Sequence, residues 1–151
     1  MDFFTVRVQT QPFDIGEEMN RLSAQPTVGA VVSFSGLVRD FGDCAQVTAL
    51  ELEHYPGMTE KILAAIIEAA RQRWVLDAVT LIHRVGGLPL GEPIVLVLTA
   101  SAHRRDAFAA CEFIMDYLKT EAPFWKKEHN AQGSQWVDAK TSDATACDRW
   151  T

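Results

Sequence analysis

The chain has 151 residues and a mass of 16.8 kDa, one domain's worth of sequence and enough to bury roughly 70% of the surface its unfolded form exposes. Apolar residues make up 48% and charged residues 23%, which excludes intrinsic disorder over most of the length. Fourteen Lys and Arg against twenty Asp and Glu leave a formal charge of -6, so a broad nucleic-acid or anionic-membrane surface is excluded and any anion site must be a local pocket.

The longest apolar run, Pro93 to Ala100, falls far short of the ~20 residues of a membrane span. The first residues carry Asp2 and Arg7 without the apolar core of a signal segment, and the expectation is a cytoplasmic protein. Three widely spaced cysteines, Cys44, Cys111 and Cys147, predict neither a disulfide framework nor a structural zinc.

In chain order, Phe4 to Val8 alternates like an edge strand. Asp14 with Glu17 three residues on reads as a capping box opening a short helix over 15–23, which Pro26 stops. The run VGAVVSFSGLV, residues 28–38, predicts a largely buried strand, with Gly29 and Gly36 marking a bulge or a close backbone approach, and it delivers Arg39 to its far end. After a loop over 40–45, residues 46–55 alternate and are expected to pair with that strand. Ile62, Ile66, Ala69, Ala70 and Trp74 recur at helical steps, predicting an amphipathic helix over 58–74. Residues 78–85 and 93–101 read as strands joined in a hairpin or near-hairpin by GGLPLGE. Residues 104–120 form a long helix with Phe108, Cys111, Met115 and Leu118 along its apolar stripe, ending before Pro123. A late strand is expected over 134–140, and residues from 141 onward have no clear pattern. With no repeat and no linker, the class is α+β in a single domain over 1–151, with an antiparallel sheet and two main helices.

The chemistry-bearing residues are cationic. His103 and Arg104 open the long helix, where cations oppose the helix dipole unless an anion lies between them and the unpaired N–H groups. Lys119 lies in its last turn, a favourable place for any cation, with Lys126 and Lys127 just beyond. Arg39 stands at a strand end and loop mouth, suited to a phosphate or to an ordinary salt bridge. His54 and His83 read as hydrogen-bonded structural residues and Cys111 as core. His103 and Lys119 are 16 positions apart, roughly 24 Å along an unbroken helix. If both serve one small ligand, they must come from two subunits, as a two-fold dimer supplies twice over. No Walker loop, GxGxxG, HExxH or GxSxG occurs, leaving oxyanion stabilisation, phosphate anchoring and amine-assisted steps.

The segments SFSGLVRD (33–40), LELEHYPGMTEK (50–61), VTLIHRVG (79–86), TASAHR (99–104) and FIMDYLKTEAPFWKKE (113–128), in this order and spacing, closely resemble the large (MoaE-type) subunit of molybdopterin synthase. The resemblance runs from about Pro12 to Trp136. It implies an α/β hammerhead-like fold and a homodimer at the centre of a heterotetramer, with a small ubiquitin-like (MoaD-type) sulfur carrier on each outer side. The implied reaction is sulfur transfer from the carrier's C-terminal thiocarboxylate to cyclic pyranopterin monophosphate, forming the dithiolene of molybdopterin without a metal or other cofactor.

Carried onto this chain, the resemblance puts Lys119 beside the thiocarboxylate and Lys126 at the pterin pocket as its catalytic partner. Arg39, with His103 and Arg104 of the other subunit, would hold the substrate phosphate. Phe34, Met115 and Pro123 would line the carrier-tail or pterin channel, and Glu128 would position the lysine segment. Two competing readings are a non-catalytic binding module for a ubiquitin-like protein, which would not need a phosphate anchor, and a phosphate-sensing dimer, which leaves the lysine segment unexplained.

Overall fold

The computed structural model describes residues 3–39, 49–130, 133–137 and 146–151, apart from the side chains of Glu128, Asn130, Gln135 and Val137. In chain order these form β1 (Phe4–Gln9), α1 (Ile15–Ser23), β2 (Ala30–Leu37), β3 (Ala49–His54), α2 (Met58–Arg73), β4 (Ala78–Arg84), β5 (Gly86–Pro89), β6 (Pro93–Ser101), α3 (Arg104–Glu121), β7 (Phe124–Asn130) and β8 (Gly133–Val137). The α+β class holds, but the strands sort into two four-stranded sheets rather than one, in the orders β1-β4-β6-β2 and β5-β3-β7-β8.

Continuous apolar runs put β4 and β6 in the middle of the first sheet, where both faces are covered. Their side chains alternate between two cores. Val79, Leu81, Val95 and Val97 pack with Leu63, Ile67, Ile114 and Leu118 of α2 and α3, whereas Ala78, Ile82, Leu96 and Leu98 pack with Leu22 of α1 on the other face. Each fully buried Leu or Ile contributes about 1.5–3 kcal/mol. Thr99 Oγ1 donates to the Ala107 carbonyl at 2.7 Å, tying the first turns of α3 to the end of β6.

β1 is an edge strand, as its alternation predicts, but it runs parallel to β4. β2 is the opposite edge, paired only with β6, so it is half-exposed rather than largely buried. Gly29, just before that strand, and Gly36 within it behave as expected: a Cβ on Gly29 would meet the Ala102 carbonyl oxygen at 2.2 Å, and the register shifts between Gly36 and Leu37. At α1 the Asp14 carboxylate accepts from the Glu17 N–H at 3.0 Å, the cap that its spacing predicts.

Several expectations are corrected. β3 does not pair with β2; it lies in the second sheet between β5 and β7, and residues 40–48, which would join β2 to β3, lie outside the described residues. β4 and β6 do pair antiparallel, but their connection is no simple hairpin, because it contributes β5 to the second sheet. Phe108 is 60% exposed although it keeps the spacing of the apolar stripe. The buried positions of α3 are 107, 110, 111, 113, 114, 115 and 118; Phe108 lies on the flank toward Gly29 and Ala30 at the start of β2. Of the expected late strand, 134–137 belongs to β8, and 138–140 lies outside the described residues.

The last residues, which had no clear pattern, dock on α3 through Asp116. Its carboxylate accepts from Trp150 Nε1 at 2.6 Å and Arg149 Nη2 at 2.7 Å, and its carbonyl from Cys147 Sγ at 2.9 Å. The Trp150 ring meets Trp74 and Phe113 edge-on.

Candidate functional site at the two ends of α3

The site residues are distributed by one helix. α3 is continuous from Arg104 to Glu121, so the separation of roughly 24 Å between His103 and Lys119 stands. A single chain does not bring these two groups together.

At the N-terminal end, the chain leaves β6 at Ser101 and enters α3 through His103, which has extended backbone angles and no side-chain cap. The first N–H groups of the helix therefore point outward without a capping side chain. Gly29 N–H donates to the Ser101 carbonyl at 3.0 Å, and the close approach keeps the floor beside the helix low. The result is a cleft of about 760 Å³ lined by Gly29, Ala30, Ala102, His103, Arg104, Arg105, Phe108, Ala109 and Glu112. His103 and Arg104 are exposed in it. Helix N–H groups, an imidazole and a guanidinium around an open cleft suit an anion, and exposed Phe108 offers an apolar wall.

The C-terminal end is built differently. The Ala122 N–H donates to the Leu118 carbonyl at 3.2 Å, and the chain passes Pro123 into β7, where sequence reading found no strand. Period two sends Phe124 and Lys126 to one face of β7 and Trp125 and Lys127 to the other. The Phe124 ring stacks on His83 of β4, with centroids 3.9 Å apart and planes at 20°. His83 is 4% exposed. Burial pushes its pKa down to about 3; a hydrogen bond to the Arg84 carbonyl opposes that shift, while the charges of Lys119, Lys126 and His54 reinforce it. Lys119 of α3 and Lys126 of β7 are thus both close enough to act on one buried ring.

Arg39 belongs to this second end. β2 runs antiparallel to β6 and α3 folds back over both strands, so the far end of β2 lies at the C-terminal end of the helix. There Val38 exchanges backbone hydrogen bonds with Glu92 and Gly91, and Arg39 is exposed. Phe34, 39% exposed, follows Val32, which packs against the α2 and α3 core; two residues apart, they share that face of β2. Met115 is buried one turn before Lys119, and Pro123 is half-buried. Glu128 lies on β7 opposite Leu50, and its side chain is outside the described residues. Arg39, Met115, Lys119, Pro123 and Lys126 therefore lie toward one end of α3 and His103 and Arg104 at the other, while Phe34, in register with Val97 in the middle of β6, lies between the two ends.

The HYPGMTEK segment is a turn and a cap. Thr59 Oγ1 donates to the Tyr55 carbonyl at 2.8 Å and lies 3.1 Å from His54 Nδ1, while the Gly57 N–H donates to Glu60 Oε2 at 2.8 Å. It fixes His54 beside Phe124, with ring centroids 6.3 Å apart. Sequence reasoning missed two features, the Phe124–His83 stack and the placement of Phe108 in the cleft. FWKKEHN after Pro123 has no apolar–polar alternation, so no periodicity announced β7. Burial pushes the Cys111 thiol up to about 11, an unreactive core group as expected.

Among the described residues, no group of three or more His, Cys, Asp or Glu could hold a metal ion. None of the helices there is long and apolar enough to cross a membrane.

Fold and site together define an α+β domain with an open cleft lined by His103 and Arg104 at one end of a long helix and Lys119 at the other. The chain belongs to the family described as MoaE protein, whose sequence profile matches residues 8–121. It is 60% identical to the molybdopterin synthase catalytic subunit of Ralstonia nicotianae, over 97% of this chain and 84% of that one. A solved molybdopterin cofactor biosynthesis protein E from Burkholderia multivorans superposes with a TM-score of 0.82 at 52% identity, covering 98% and 97% of the two chains. A crystal structure of molybdopterin synthase from Staphylococcus aureus gives a TM-score of 0.82 at 32% identity, covering 87% and 96%.

Proposed function

We infer that this chain is the sulfur-transferring catalytic subunit of molybdopterin synthase. It moves sulfur from the C-terminal thiocarboxylate of a small ubiquitin-like carrier to cyclic pyranopterin monophosphate, building the dithiolene of molybdopterin in molybdenum cofactor biosynthesis. The observation that carries the reading is the unbroken α3 with a cleft lined by His103 and Arg104 at one end and Lys119 at the other, where its charge and that of Lys126 both act on buried His83. A phosphate-bearing substrate that must also meet a thiocarboxylate needs both ends.

Each site then draws on two copies of the chain. His103 and Arg104 of one copy grip the phosphate through the N-terminus of α3. Arg39, Lys119 and Lys126 of the other copy face the reacting end, where the Lys119 ammonium lies beside the carrier's terminal thiocarboxylate and offsets the negative charge on sulfur and on the oxygen of the transfer intermediate. Lys126 anchors the pterin beside it. Phe34, Met115 and Pro123 form the apolar channel for the extended carrier tail or the flat pterin, and Glu128 positions the lysine segment. A homodimer with one carrier docked on each outer side, working in the cytoplasm, completes the assembly.

The test is reconstitution of the purified chain with a thiocarboxylated carrier and cyclic pyranopterin monophosphate, assayed for dithiolene-bearing molybdopterin. Product that depends on all three components is the expected result. Carrier binding without product, with thiocarboxylation verified, would make the chain a docking module instead.

A further inference from the structure

We propose that His83 is a positioning residue for the lysine pair: its ring, anchored to the Arg84 carbonyl and stacked on Phe124, sets the start of β7 so that Lys126 faces Lys119. The proposal rests on the reading of Lys119 and Lys126 as site residues.

The argument begins with what each partner can move against. β4 is held on both sides, with His83 in register with Val8 of β1 and Val95 of β6, so its ring is carried by the most rigid part of the first sheet. β7 pairs only with β3 and β8 of the second sheet and owes no backbone hydrogen bond in those ladders to the first. The ring contact at 3.9 Å therefore ties the strand bearing Lys126 to the sheet against which α3, bearing Lys119, is packed. Phe124 and Lys126 share a face of β7, so whatever fixes the Phe124 ring also fixes the direction of the lysine two residues on.

The His83 ring itself has one defined orientation. Its Nδ1 lies 2.8 Å from the Arg84 carbonyl oxygen, which can only accept, so Nδ1 carries the proton and donates it. Charge explains why a neutral ring suits this place. The charges of Lys119 of α3, Lys126 of β7 and His54 of β3 all disfavour a protonated ring, because an imidazolium there would add a further cation within reach of theirs. Arg84, next along β4, directs its guanidinium elsewhere, to the carbonyls of Thr10 and Pro93. Its head also pairs with Glu92 at 3.6 Å. Burial with a polar anchor makes His83 permanently uncharged at neutral pH, an aromatic floor and not a titrating group.

Two variants separate stacking from mere burial. His83→Phe keeps a flat ring on Phe124, and His83→Leu keeps apolar volume without one. Steady-state kinetics of the reconstituted synthase are combined with NMR of ¹³C-methylated lysines, the Lys119 and Lys126 signals assigned with Lys→Arg variants. The expected result is that His83→Leu lowers kcat by about tenfold or more with KM for the carrier unchanged and the Lys126 signal shifted, while His83→Phe stays within a few-fold of wild type. Wild-type kcat and an unmoved Lys126 signal in His83→Leu would overturn the proposal, as would equal losses in both variants. If His83→Leu does not fold, Phe124→Leu removes the same stack from the other side and carries the same expectations. A shifted Lys126 signal together with full turnover by Lys119→Ala and Lys126→Ala would leave His83 in its positioning role and overturn the catalytic reading of the lysines.

Discussion

The two ends of α3 handle positive charge in opposite ways. At the N-terminal end, His103 and Arg104 stand exposed in an open cleft against the positive pole of the helix, an arrangement that is unfavourable until an anion arrives. At the C-terminal end, Lys119 lies where the helix dipole favours a cation, and its charge, with that of Lys126, helps to hold the buried His83 ring neutral. The first end is built to bind a charge and the second to hold charge in place without one. On the proposed function, one end supplies substrate affinity and the other the reacting step, and the helix length requires the two to meet between copies of the chain.

Kinetics should divide along the same line. Lys119→Ala is expected to lower product formation by about a hundredfold or more, the scale for removing an oxyanion-stabilising group, with carrier binding and melting temperature near wild type. Turnover at the wild-type rate would break the assignment. His103→Ala combined with Arg104→Ala should raise KM for the pterin phosphate by about tenfold to a hundredfold, the loss expected for charged hydrogen bonds, while KM for the carrier holds. A loss confined to kcat would place these residues at the wrong end of the reaction.

The buried ring gives a pH signature that the open cleft lacks. His83 has a folded pKa lowered from 6.5 to about 3, so its contribution to stability is fully present above 6.5. Below that value the unfolded chain takes up a proton that the folded chain refuses, and stability falls by about 1.4 kcal/mol per pH unit from this group, until the folded pKa is reached. Urea unfolding at pH 6 and pH 5 should show this increment in wild type and its loss in His83→Phe. Equal slopes in the two proteins would mean that the ring titrates normally.

The smallest effect concerns packing. Phe108→Ser should change stability by no more than about 0.5 kcal/mol, as for an exposed position, whereas Leu118→Ala in the same helix should cost about 2–5 kcal/mol. Thermal or urea denaturation of the two variants compares the open and closed flanks of α3 directly.

The sequence revealed what local periodicity and capping encode. The long helix, the Asp14 cap, the strands β4 and β6, and the tight glycines Gly29 and Gly36 at and just before β2 were all legible, because each depends on neighbours a few residues away. Separating His103 from Lys119 needed only the helical rise. The second sheet was not legible: β5 has four residues and β7 follows a proline with three consecutive charged residues, Lys126, Lys127 and Glu128, so neither declares an apolar face. Which strands pair is a matter of tertiary contact, and the expected β2–β3 pair failed for that reason. Phe108 misled because its spacing is that of a core residue while its side chain lies on the flank toward Gly29 and Ala30. His83 read as structural, and its ring contact with Phe124, 41 positions away, could not be seen from either segment alone.

The claim that each site joins opposite ends of α3 from two copies is tested most directly by a defined heterodimer. One chain carries His103→Ala and Arg104→Ala, its partner carries Lys119→Ala, and the two are purified together through different affinity tags. In a two-fold dimer one site then receives every lesion and the other none, so at pterin phosphate well below the wild-type KM the purified heterodimer should recover about half of wild-type molybdopterin formation, although under the same conditions each parent homodimer is severely impaired. Activity no higher than that of the parents, in a preparation shown to be heterodimeric, would mean that each site is built within a single chain and would contradict the account.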